Sequence, residues 1–102
     1  MDHLFTYGTL QDLQVQEYVF GRLLHGQIDS LPGFKRLENA VYGKYALVVY
    51  TDNAEDVVPG KVYEVSEADL RKADVYETNA YKREKFRLQS GIYAWVYLKN
   101  SK

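Results

Sequence analysis

The sequence has no cysteine, so neither a disulfide framework nor a thiolate metal site is available to it. Its two histidines, His3 and His25, lie in separate segments, and no metal or other cofactor is expected from this inventory. Neither sign of charge is in excess. Thirteen basic residues against 14 acidic ones give a formal net charge of −1, which offers no general attraction to nucleic acid or anionic lipid. No apolar run approaches the roughly 20 residues that cross a bilayer as a helix, so no membrane partner is expected. The first residues, Met1-Asp2-His3-Leu4-Phe5-Thr6-Tyr7, show no charged leader or long apolar stretch and pass directly into a strand pattern. No targeting segment is expected, and the cytoplasm is the default location. Internal repeats, linkers and low-complexity tracts are also missing.

With 102 residues the chain is long enough for one core and too short for two, so residues 1–102 are read as one domain. Hydrophobic residues make up 46% and charged residues 26%, the balance of a folded globule and not of a disordered chain. Tyrosine stands out at 10 residues, beside Trp95 and four phenylalanines. Such rings fill small β-rich cores with their hydroxyls at the rim, and they also line polar ligand pockets.

Leu4-Phe5-Thr6-Tyr7 is a short β-type run stopped by Gly8. Asp12 is placed to cap a helix over about residues 13 to 21, with Leu13, Val15/Gln16, Val19 and Phe20 as its inner face and Gly21 at its end. Strand, glycine, short loop and helix start in this order can hold an anion: backbone N–H groups are reachable at Gly8, and the positive helix end points at the same spot. The same order also serves as a plain β–α turn. Leu24 to Asn39 reads as two strands flanking the turn Leu31-Pro32-Gly33-Phe34. Ala46–Thr51 reads as a buried strand and Lys61–Val65 as a half-buried one, and Tyr81–Leu88 and Tyr93–Leu98 are two more, joined through Gln89-Ser90-Gly91. About six strands with two inserted helices are too closely spaced for a parallel doubly wound sheet. An α+β fold is expected: a small mixed/antiparallel β-barrel, or strongly curled sheet, with helices packed at its rim.

The chemistry concentrates in Leu70 to Arg83. Ser66 with Asp69 three residues later marks a helix start, and Leu70, Ala73 and Tyr76/Glu77 recur at helical spacing. Thr78-Asn79 is an exit turn. Glu77 therefore sits where a helix stops, near a mouth between elements, and is the candidate catalytic residue. A glutamate at a helix C-terminus is as a rule a surface group, so the assignment rests on the residues around it. Tyr81 and Arg83 share a strand face with Lys85 and Arg87. That row suits either a pocket rim or an exposed cationic edge that discourages strand pairing.

Tyr7-Gly8-Thr9-Leu10, Leu31-Pro32-Gly33-Phe34, Gly60-Lys61-Val62-Tyr63-Glu64-Val65, Leu70 with Ala73-Asp74-x-Tyr76-Glu77, Tyr81-x-Arg83 and Ala94-Trp95-Val96-Tyr97 occur in one order over nearly the whole chain. In these motifs the sequence resembles the gamma-glutamylcyclotransferase-like superfamily. Two positions depart from the superfamily's pattern: Ala73 stands where leucine is usual, and Tyr45-Ala46 replaces a common Tyr-Pro. The resemblance implies a compact barrel with flanking helices, Glu77 as acid/base, and Tyr7, Gly8, Thr9 and Leu10 as the substrate-binding loop. It places Tyr81 at the pocket rim and Arg83 as substrate contact or structural support. The implied substrate is a small gamma-glutamyl amine or peptide, closed by its own α-amine to 5-oxoproline with no cofactor. A catalytically silent small-acid-binding or interaction module on the same fold is the alternative. A single-strand nucleic-acid binder, with bases on tyrosines above the basic row, is the third reading, opposed by the balanced charge. The leaving amine and the oligomeric state are left open.

Overall fold

Residues 2–100 are described by a computed structural model. Strict alternation along β1 (Asp2–Thr6) sets the architecture, because successive side chains of a strand point to opposite faces. Leu4 joins one apolar cluster and Phe5 the other, and both are fully buried. β1 runs antiparallel to β5 (Val57–Val65) and parallel to β7 (Tyr93–Lys99). Outside them lie β2 (Gly26–Pro32), antiparallel to β5, and β6 (Tyr81–Arg87), antiparallel to β7. The resulting five-stranded sheet has the order β2-β5-β1-β7-β6.

A separate hairpin of β3 (Phe34–Val41) and β4 (Tyr45–Tyr50) covers one face, where Phe34 and Val48 pack with Phe5, Val62 and Val96. Helices α1 (Leu13–Phe20) and α2 (Glu67–Glu77) cover the other, burying Phe20, Leu70 and Ala73 against Leu4, Tyr63 and Tyr97. This is the expected α+β arrangement with the helices against the sheet. The strands curl without a ladder joining the hairpin to the sheet, so the barrel is loose and not closed.

Local chemistry explains the element ends. Ser66 and Asp69 form a reciprocal capping box at the start of α2, with the Ser66 hydroxyl accepting from the Asp69 amide at 3.0 Å and the Ser66 amide donating to Asp69 at 2.9 Å. Asp12 caps α1 by accepting from the Gln14 and Val15 amides. α1 stops at Phe20 because Gly21 adopts φ +72°. Two sequence expectations need correction here. Leu13 lies outward, 61% exposed, and the inner face is carried by the expected Gln16 and Phe20, both buried. β5 also begins four residues before Lys61, with Pro59 opposite Ser30. Over that stretch β5 has only β2 as a neighbour, so the missing proline N–H costs no ladder bond on a second side.

Candidate active site

β1 delivers Tyr7 and the loop behind it to the sheet end where α2 stops, and the two meet across a cavity of about 400 Å³. Tyr7, Gly8, Thr9 and Leu10 line it from one side, and Glu77, Tyr81 and Tyr97 from the other. The loop is a short 3-10 turn, Thr9–Gln11, whose shape is fixed from within. Buried Gln16 donates to the Leu10 carbonyl at 2.9 Å and accepts from the Leu24 amide at 3.0 Å, so its amide group is satisfied at both ends.

Glu77 has the chemistry of a poised acid. Its carboxyl faces the cavity with no hydrogen bond or ion pair from the described residues, and burial pushes it from the ordinary 4.5 up to about 7. Burial, followed by the nearby Glu77 charge, also pushes the Tyr81 phenol up to about 12. Tyr81 does not bond Glu77; its hydroxyl donates to the Ala46 carbonyl on β4 at 2.9 Å, tying the sheet edge to the hairpin. Tyr7 donates to the Tyr97 carbonyl at 2.7 Å, and burial above all keeps its phenol protonated.

The structure sets Arg83 apart from this group, so of the two roles left open for it, substrate contact or structural support, its contacts are those of support. Asp74, one turn before Glu77, takes Arg83 in a bidentate pair at 2.7 and 2.9 Å and also accepts from the Tyr97 hydroxyl at 2.7 Å. Burial opposes the charge on Asp74, but these bonds outweigh it and hold its carboxyl below the ordinary value. The Arg83 guanidinium also lies 4.5 Å from the Trp95 ring centroid, with the Lys85 ammonium at 5.1 Å. Arg83 thus braces the last turns of α2 from behind. In the rest of the basic row Lys85 pairs with Asp2, while Lys82, on the opposite strand face, pairs with Glu84.

At Gly8 φ is −133°, and a Cβ there would meet nothing within 4 Å. The α1 N-terminus offers little to an anion, since Asp12 already occupies its first free amides. What the sequence did not single out is Arg36, on β3, which lines the cavity, donates to the Tyr7 carbonyl and pairs with Glu38 at 2.9 Å. The visible signal was a lone arginine in a strand pattern, which carries no meaning until the hairpin is folded over the sheet.

A smaller cavity of about 260 Å³ adjoins the first and shares Thr9, Tyr45, Glu77 and Tyr81 with it. Among the described residues no cluster of three or more potential metal ligands occurs, and no helix is long and apolar enough to cross a membrane.

The sequence profile of the family described as gamma-glutamyl cyclotransferase, AIG2-like, matches residues 4–102. Two proteins of Arabidopsis thaliana with solution structures superpose with TM-scores of 0.83 and 0.80 at 25% and 26% identity. Each alignment covers 99% of this chain, and 63% and 70% of those proteins, so the chain spans less than two thirds of the first. A solved structure described as a gamma-glutamyl cyclotransferase shares the fold with a TM-score of 0.74 at 18% identity, over 96% of this chain and 66% of that one. No curated protein sequence matches the chain.

Proposed function

Because the chain belongs to the gamma-glutamyl cyclotransferase, AIG2-like family, we propose that it converts a gamma-glutamyl amide to 5-oxoproline and a free amine, with Glu77 as the acid/base. The observation that carries this reading is the unpartnered Glu77 carboxyl, raised to about 7 by burial, facing the Tyr7–Leu10 loop across one cavity. A carboxyl near neutrality can both accept and return a proton at working pH.

The substrate carries its own nucleophile, so proximity is built into it and the protein has three tasks. It folds the glutamyl chain back, holds the α-carboxylate and moves protons. The loop amides and Arg36 receive the α-carboxylate. Arg36 suits this because Tyr7 and Glu38 already fix its guanidinium, leaving Nη2 for a ligand. Glu77 takes a proton from the α-ammonium, and the freed nitrogen attacks the γ-carbonyl carbon. The new N–C bond closes the five-membered lactam while the old amide C–N bond breaks. Glu77 returns its proton to the departing nitrogen; the second proton lost from the α-nitrogen passes to solvent or to the released amine.

A silent binding module on the same fold would have no use for an unpaired, half-buried carboxyl, whose desolvation opposes ionisation. The paired cations on β6 likewise favour a small ligand over a nucleic-acid strand. The test is incubation with a panel of gamma-glutamyl amides and dipeptides, scoring 5-oxoproline by mass spectrometry. At least one member yields product on this reading. A folded protein that yields none from any member supports the silent module instead.

A further inference from the structure

The two cavities that meet at Glu77 differ in chemistry. The larger carries Arg36, Glu38 and Lys44 beside the loop. The smaller is walled by Tyr42, Tyr45, Tyr76 and Tyr81, and its only charged lining residue among those described is Glu77 itself. Two of its tyrosines are left open to solvent: Tyr42 is 75% exposed and Tyr45 45%. Tyr76 is held differently, its hydroxyl lying 2.9 Å from that of Thr9 on the loop.

Tyr42 stands out on backbone grounds as well. It sits in the tight β3–β4 turn, closed by the Lys44 amide donating to the Val41 carbonyl, with φ +54° followed by Gly43 at +67°. Successive positive φ values suit asparagine, aspartate or glycine, and an aromatic residue is an outlier there. A strained, exposed ring that gains little packing for the fold itself is explained when a ligand supplies the missing contact.

Resting on the cyclotransferase reading, we propose that the tyrosine-walled cavity receives the leaving amine, and that this amine is an arylalkylamine bearing no carboxylate. The charged glutamyl head occupies the Arg36 side, and the scissile amide lies at Glu77, which both cavities share. The tyrosine faces offer stacking to an aromatic ring. A carboxylate on the leaving group would enter a lobe with no lysine or arginine among its lining residues and Glu77 at its inner end, where it would be desolvated without a partner.

The experiment compares gamma-glutamyl-benzylamide, gamma-glutamyl-methylamide and gamma-glutamyl-phenylalanine. It measures kcat/KM on wild type and on Tyr42→Asn, and affinity by calorimetry on Glu77→Gln alone and combined with Tyr42→Asn. Wild type prefers the benzylamide over the phenylalanine adduct by about tenfold or more, because both carry the ring and only the adduct brings an unpartnered carboxylate into the lobe. Tyr42→Asn raises Tm, because asparagine relaxes the turn, yet cuts the benzylamide/methylamide ratio several-fold. A purely structural tyrosine would change both substrates equally. Equal or better turnover of the phenylalanine adduct, or an unchanged ratio in Tyr42→Asn, overturns the assignment of the lobe while leaving the cyclotransferase reading intact. If no amide gives 5-oxoproline, the cyclotransferase reading fails and calorimetry decides the lobe: benzylamide binding that Tyr42→Asn weakens supports it, and indifference to the ring or to Tyr42 refutes it.

Discussion

At the scale of the residue, the fold keeps Glu77 in surroundings that cost stability. Its pKa is about 7 in the folded protein against an ordinary 4.5, so between those values the folded state holds a proton that the unfolded chain has released. Stability therefore falls as pH rises from about 4.5 to about 7 and stays at the lower level above that, by up to about 3 kcal/mol. Glu77→Gln keeps the shape and removes the ionisation. Thermal unfolding is expected to show the variant gaining stability on wild type as pH is raised from 4.5 to 8, with the gain levelling off above about 7. A difference in Tm that does not change with pH would mean that the Glu77 carboxyl is as well solvated in the folded protein as in the unfolded chain.

At the scale of the element, α2 is fixed at both ends by polar contacts that place Glu77. Asp69 closes the capping box and also takes Arg22, while Asp74 takes Arg83 and Tyr97. Arg83→Ala should lower Tm by a few degrees, since Asp74 is partly exposed and such a pair contributes about 1 kcal/mol. It should also slow turnover while leaving affinity for 5-oxoproline within about twofold; a tenfold weaker product affinity would return Arg83 to the pocket. The elements themselves were largely legible in the sequence. Caps at Asp12 and Ser66, the Pro32-Gly33 turn and the alternation of β1 act locally, and local signals survive without tertiary context. What the sequence hid depends on pairing at long range. The partners of Gln16 exist only once Leu10 and Leu24 close on it, Arg36 reaches the pocket only because the hairpin folds over the sheet, and Arg83 is drawn away from it by an aspartate nine residues earlier.

At the scale of the whole molecule, charge is distributed in pairs and not as a field. Of the four cations of β6, Lys82, Arg83 and Lys85 each have an acidic partner among the described residues and Arg87 has none, so a single unpaired cation is left where a backbone-tracking groove would need a row. A single-stranded oligonucleotide should bind more weakly than about 10⁻⁴ M at physiological salt in an anisotropy titration; binding tighter than about 10⁻⁶ M with a steep salt dependence would indicate a nucleic-acid site. The tyrosines are shared between the core and the cavities: Tyr7, Tyr63 and Tyr97 are buried, whereas Tyr42, Tyr45, Tyr76 and Tyr81 surround the smaller cavity. The larger architecture thus serves one geometric end, which is to bring the end of α2 and the loop after β1 to opposite sides of one cavity. The most direct test of that account is 5-oxoproline release from a gamma-glutamyl amide by wild type and by Glu77→Gln, side by side at pH 8. The account predicts rapid release by wild type and a rate lower by about 10²–10⁴ in the variant, with its fold intact; release by the variant at near wild-type rate would contradict it.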